Sequence, residues 1–318
     1  MRRATGLSST AGRYGKLRTL NPLLEHDRRL LVLSPHLDDA ILSAFSLFSA
    51  RRSSTVVTVF DGHPASPVTT EWDRLCGFTD STSAMAARHL EDEAAFADLP
   101  VRRDYLGLLD TSYLASPRTD EDSVIRKYVQ EWVEVEDGPA IVAVPAGAGR
   151  TSADSGAPLA PPSPVKRVRR ALVRATGPVG RSFAMARARR LSRRAISVIH
   201  EDHEYVRDVV LALLPELPDV TVALYEELPY AWGKPADDAV AHAGSVHGVV
   251  TRAEHLVVDR ERKASAIRAY ASQLLAVPSP HGPLDSASTL PEFERFWLID
   301  PSTDGPAGER PPVHGAAT

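Results

Sequence analysis

The sequence predicts an α/β fold built on a mostly parallel sheet with helices on both faces. Three observations predict it. Runs such as Leu30-Leu31-Val32-Leu33 and Ala140-Ile141-Val142-Ala143-Val144 are apolar without alternation, the pattern of strands covered on both sides. Stretches with a single apolar stripe alternate with these runs, as in repeated βαβ units with right-handed crossovers. The chain of 318 residues, 43% hydrophobic and 25% charged, is also long enough to bury a large core.

Taken in order, Arg29–Leu33 reads as the first strand and Asp39–Ala50 as the helix after it. Thr55–Phe60 ("TVVTVF") reads as a β-branched strand, followed by a helix over Ser83–Leu99. Asp104–Leu108 is the third strand expected, then a helix over Glu121–Val135 and the strand Ala140–Val144. A helix over Glu204–Leu214 leads to the strand Val220–Tyr225, a strand near His255–Val258 and a helix over Arg260–Ala276. In such sheets ligands bind beyond the carboxyl ends of the strands.

The segment Gly147–Pro164, "GAGRTSADSGAPLAPPSP", breaks this rhythm and reads as a loop. With the basic stretch that follows it forms an insertion over 147–195, far longer than the usual connection of a few residues. One domain is therefore expected over 28–300, with an N-terminal tail over 1–27 and a C-terminal tail over 301–318. From Lys166 to Arg194 there are eleven basic residues and no acidic one. The rest of the chain holds 26 basic against 41 acidic residues, so the net charge of −4 hides a local basic segment. That segment suits either a lid that favours anionic substrates or a solvated amphipathic helix with Val168, Leu172, Phe183, Met185 and Leu191 docked on the domain.

A single cysteine, Cys76, excludes an internal disulfide and a cysteine-based zinc site, so a metal would have to use carboxylates and some of the eleven histidines. The N-terminus lacks the apolar h-region of a signal peptide, and no run approaches the roughly 18 apolar residues of a membrane span. A cytoplasmic protein without a transmembrane segment is expected.

"SPHLDDAILS", Ser34 to Ser43, places one histidine and two adjacent carboxylates where the first strand meets the next helix. His36 and Asp39, three residues apart, can converge on one ion at such a turn. Aspartate is also a preferred N-cap, and this spacing alone does not choose between the readings. "VIHEDHEYVRDVV" adds His200 and His203 one turn apart at a helix start, with Glu201 and Asp202 between them. Alone, an H-x-x-H is weak evidence, but both clusters fall where this fold puts its site, and jointly they favour a metal.

These residues resemble the PIG-L/LmbE-like N-deacetylases, zinc-dependent amidases with a Rossmann-like fold. The resemblance is carried by strand-then-"PHLDD" and the distant "HEDH", with further pieces at "RHLEDEAAFADL", "LGLLD", "LYEELPYAW" and "KASAIRAYASQ". It implies His36, Asp39 and His203 as ligands of Zn2+ or another divalent ion, and Asp38 as general base. It further implies His200 as the imidazole near the developing oxyanion or the leaving amine, with Arg88 and Asp110 near the substrate. Asp202 would brace a histidine. The sequence departs from the family pattern at Leu37, Ala40 and Glu201, none of them an implied ligand, and at Val198, where some relatives carry a tyrosine. Tyr225 and Tyr230 are the alternatives for that tyrosine, with core packing the competing role. Arg88 also has Glu91 and Asp92 within reach for a surface ion pair, and His63 follows the second strand, where a loop histidine is ordinarily solvated.

The activity implied is removal of an acyl group, acetyl as first expectation, from an amino-sugar-containing small molecule or natural-product glycoside, with an anionic substrate suited to the basic segment. Two alternatives stand beside it: a hydrolase cleaving a larger amide or another C–N bond, and a protein binding nucleic acid or an anionic surface through the eleven basic residues. Against nucleic acid, Phe183 is the only aromatic residue in the basic stretch, so stacking platforms are missing.

Overall fold

The computed structural model describes residues 21–25, 27–49, 54–116, 118, 120–147, 201–232, 235–277 and 281–299. The insertion beyond Gly147 and both chain ends lie outside these residues. Along the chain run β1 (Arg29–Ser34), α1 (Asp39–Ser43), α2 (Phe45–Ser49), β2 (Ser54–Thr58), α3 (Glu71–Cys76), α4 (Ser81–Ala95) and β3 (Val101–Tyr105). They are followed by α5 (Glu121–Glu134), β4 (Ala140–Pro145), α6 (Glu201–Leu213), β5 (Val220–Tyr225), α7 (Asp237–His247), β6 (Arg252–Val257), α8 (Arg260–Ile267) and β7 (Phe293–Ile299).

The seven strands form one sheet in the order β3-β2-β1-β4-β5-β7-β6. β3, β2, β1, β4 and β5 are parallel, and β7 runs antiparallel to both β5 and β6. The continuous apolar runs have the expected cause: alternate side chains of each inner strand enter two different cores. Leu30, Val32, Ile141, Ala143, Ala223 and Tyr225 join residues of α1, α2 and α8 on one face. Leu31, Leu33, Val142, Val144, Val222 and Leu224 join α5, α6 and α7 on the other. Leu23, inside the stretch expected to be an N-terminal tail, is fully buried in the first of these cores.

Several elements differ from the sequence expectation: α3 and α7 are not among the expected helices, and α8 ends at Ile267 rather than Ala276. The third strand lies at Val101–Tyr105 rather than Asp104–Leu108, because an edge strand facing water can be polar, whereas the apolar "LGLL" is loop. The single helix expected over Asp39–Ala50 is broken at Ala44 into α1 and α2. Glu294 of β7 accepts from the amides of Phe45 (3.1 Å) and Ser46 (2.7 Å), capping α2 from across the fold. β7 itself, "FERFWLI", was not among the expected strands.

The sheet order reverses around β1 and β4, which places a crevice beyond their carboxyl ends. Two glycines shape it. The Gly62 amide bonds the Leu108 carbonyl at 2.9 Å, and a Cβ on Gly62 would sit 2.3 Å from the Gly107 oxygen. That close approach fixes the chain leading to Asp110. Gly147, at φ 75°, ends the segment after β4 in a left-handed conformation that favours glycine, and a Cβ there would meet Arg207 Nη1 at 2.4 Å.

Candidate metal centre

The turn after β1 is built by local hydrogen bonds. Ser34 Oγ donates to the His36 carbonyl at 2.5 Å and accepts from the Ala40 amide at 3.0 Å. Asp39 Oδ2 accepts from the His36 amide at 2.9 Å. Asp38 holds the N-cap position of α1 yet makes no side-chain cap hydrogen bond, so capping does not account for either aspartate. Asp38 faces Arg88 instead, with Oδ1 3.5 Å from Nη2.

Three of the expected side chains meet. The Nδ1 of His36 lies 3.0 Å from Asp39 Oδ2, and the Nε2 of His203 lies 3.2 Å from the same oxygen. All three residues are buried, and their donor atoms lie within 4.8 Å of one another. The remaining nitrogen of each imidazole is held by a carboxylate. His36 Nε2 lies 3.1 Å from Asp202 Oδ2 and 3.3 Å from Asp110 Oδ2. His203 Nδ1 lies 3.4 Å from Glu227 Oε1. Such outer carboxylates set which ring nitrogen faces inward, and they raise ligand basicity.

The supports are themselves anchored. Asp202 accepts from the Thr111 amide (3.2 Å) and the Thr111 hydroxyl (2.5 Å), and pairs with Arg118. The Arg118 guanidinium lies 3.9 Å above the centre of the Phe60 ring. Asp110 caps a short turn over Thr111–Tyr113 through Ser112. Glu227 Oε1 accepts from the Gly147 amide at 2.6 Å, which ties β4 to β5 beneath His203. Tyr230 stands edge-on to His203, with ring centres 5.6 Å apart.

Burial opposes charge on both imidazoles and is outweighed by their carboxylate partners. His36 is raised well above its ordinary value by Asp110, Asp202 and Asp39, and His203 is raised to about 9 by Asp39 and Glu227. Burial likewise disfavours the Asp39 carboxylate, but His203 and His36 hold it well below the ordinary range. Asp38 differs in sign: burial raises it, and Arg88 offsets only part of that.

Two imidazoles and one carboxylate, buried and convergent, match the three-ligand donor set that zinc uses where a fourth position is kept for water. With their far nitrogens committed to Asp202 and Glu227, both imidazoles turn their near nitrogens to Asp39 Oδ2. The residues present therefore fit a divalent cation.

The structure brings Asp38, Arg88 and Asp110 to the same crevice as His36, Asp39 and His203. His200 lies outside the described residues, as does Val198. Arg88 does not make the surface ion pair its spacing allowed: it is buried against Asp38, while Glu91 bonds Ser272 and Asp92 bonds Tyr105 and Tyr270. Tyr225 packs in the core with its hydroxyl on the Leu33 carbonyl at 2.9 Å, and His63 is exposed with its ring on the Pro64 carbonyl. Glu227, Thr111 and Arg118 were not singled out in the sequence. Glu227 had one legible signal, its place in "LYEELPYAW" directly after a buried strand.

No family model and no curated protein matches the sequence. Solved structures match it. The zinc-inhibited form of teicoplanin deacetylase Orf2 aligns over 87% of this chain and 100% of its own, at 22% identity and a TM-score of 0.54. A deacetylase–teicoplanin complex aligns over the same shares at 21% identity and 0.52. The A40926 pseudoaglycone deacetylase Dbv21 covers 88% of this chain and 100% of its own, at 21% identity and 0.56. The chain has the fold of these deacetylases. The Rossmann-like architecture implied by the sequence motifs is the one observed. Among the described residues, no helix is long and apolar enough to cross a membrane.

Proposed function

We propose that the protein is a zinc-dependent amidohydrolase that removes an N-acyl group, acetyl in the first instance, from an amino-sugar-containing small molecule. The observation that carries this reading is the arrangement of His36, Asp39 and His203 around one point, each imidazole braced by a buried carboxylate, with a non-ligand carboxylate, Asp38, at the adjacent position in the chain. Zinc held by these three residues would supply the Lewis acidity that makes water nucleophilic near neutral pH.

The chain's own groups divide the remaining work. Asp38, raised by burial and held by Arg88, takes a proton from the attacking water at its carboxylate and returns it to the departing amine. Arg88 keeps Asp38 facing the crevice. Asp202 and Glu227 keep the two imidazoles in register, and Thr111, Arg118 and Gly147 keep those carboxylates in place. His200 is proposed as the imidazole at the developing oxyanion or the leaving amine. Asp110, beside His36, borders the substrate position.

The solved neighbours support the substrate class, being deacetylases named for teicoplanin and for the A40926 pseudoaglycone. The basic segment Lys166–Arg194 supports an anionic substrate. The test is mass-spectrometric detection of deacylated product from a panel of N-acylated amino-sugar compounds, neutral and anionic, with zinc-loaded wild type and Asp38→Asn. Product from wild type alone is expected. Equal product from both proteins would remove Asp38 from the chemistry, and no product from any member would overturn the proposed activity.

A further inference from the structure

Helix α4 presents two buried side chains, one turn apart, to the segment between β1 and α1. Arg88 is 6% exposed and reaches Asp38; Asp92 is 2% exposed and reaches the preceding residue, Leu37, through Tyr270. The Tyr270 hydroxyl oxygen lies 3.0 Å from Asp92 Oδ1 and 2.9 Å from the Leu37 carbonyl oxygen, and Tyr270 is 1% exposed. A phenol carries one hydrogen, whereas a carbonyl and an ionised carboxylate only accept. With Asp92 ionised, one of these two oxygen–oxygen contacts would contain no hydrogen, leaving two buried acceptors pressed together.

We propose that Asp92 is held as the neutral acid, its Oδ1–H donating to Tyr270 and Tyr270 donating to the Leu37 carbonyl, so that this relay positions the turn bearing Asp38. Asp92 and Tyr270 are thus positioning residues, and their link to catalysis rests on the reading of Asp38 as the base. The other oxygen of Asp92 accepts from the Tyr105 hydroxyl at 2.9 Å and faces Arg103 Nη1 at 3.4 Å, both from β3. Arg88 and His89 are its charged or titratable neighbours one turn back on α4, and Asp38 lies beyond Tyr270. Burial pushes Asp92 up from the ordinary carboxylate value, and the Tyr105 and Tyr270 hydroxyls and Arg103 offset only part of that rise. Asparagine would reproduce the pattern of the neutral acid: its oxygen can accept from Tyr105 and Arg103, while its amide can donate to Tyr270.

Two arms test the relay. By infrared difference spectroscopy without substrate, wild type at neutral pH should show the carbonyl stretch of a protonated carboxylic acid that Asp92→Asn lacks. Identical spectra would overturn the neutral acid whatever the protein hydrolyses, so this arm stands apart from the proposed activity. In kinetics, Tyr270→Phe and Asp92→Leu should lower kcat by about 10- to 100-fold, with KM and bound zinc unchanged, and Asp92→Asn should recover what Asp92→Leu loses. Wild-type kcat in Tyr270→Phe, or a loss in Asp92→Asn equal to that in Asp92→Leu, would overturn the positioning role.

Discussion

Lys263 and Glu294 form an ion pair at 2.5 Å with side-chain exposures of 0% and 3%, and Glu294→Gln is the sharpest test of what holds the two layers together. Glu294 Oε1 meets Lys263 Nζ and the Phe45 amide, while Oε2 accepts from the Ser46 amide at 2.7 Å and the Ser46 hydroxyl at 2.5 Å. Glutamine keeps the shape and one acceptor. It leaves Lys263 charged in an apolar surrounding and turns an amino group toward the Ser46 amide. Breaking a buried pair in this way costs about 3–5 kcal/mol, and stranding one backbone donor accounts for about 1–3 kcal/mol of that. Guanidinium denaturation should show a lower midpoint at unchanged slope. The double variant Lys263→Met with Glu294→Gln removes the stranded charge, so its loss should fall short of the sum of the single losses by about 0.5–3 kcal/mol. A single-variant loss below about 1 kcal/mol, or strict additivity in the double, would rule out this pair as a coupled buried support.

Asp38→Asn should retain zinc and lose turnover by about 10²- to 10⁴-fold, measured by product formation at matched metal content; unchanged turnover would remove Asp38 as the base. Glu227→Gln keeps an acceptor for the Gly147 amide but takes the charge from behind His203, and zinc affinity by chelator competition should fall about 10- to 100-fold. Both imidazoles are raised in the metal-free protein, His203 to about 9, and must be neutral to bind a metal. Zinc binding near pH 7 should therefore release about two protons, read by calorimetry in buffers of different ionisation enthalpy, and binding without proton release would contradict the assigned charge states.

What was legible in the sequence had local causes. β1, β2, β4 and β5 read correctly because burial on both faces writes an uninterrupted apolar run. His36, Asp39 and His203 were legible as a trio only through the resemblance, since spacing alone left Asp38 and Asp39 open to capping. What was missed depends on partners far along the chain. The break at Ala44 is set by Glu294, some 250 residues away, and nothing near Ala44 announces it. Glu227 looks like an ordinary polar residue until the Gly147 amide and His203 are folded onto it. Arg88 has acidic neighbours at helical spacing, yet tertiary packing turns it toward Asp38 and leaves those neighbours to Ser272, Tyr105 and Tyr270. β3 misled in the other direction: its polar strand lies on the sheet edge, and the more apolar loop beside it looked like the strand.

If His36, Asp39 and His203 hold one divalent ion, removing either imidazole should release it. Elemental analysis of zinc in wild type, His36→Ala and His203→Ala, each checked for folding by circular dichroism, tests it most directly. One zinc ion per wild-type chain, and loss of tightly bound metal in both variants with the fold retained, is the expected result. Full metal content in both folded variants would rule out these three residues as the ligands.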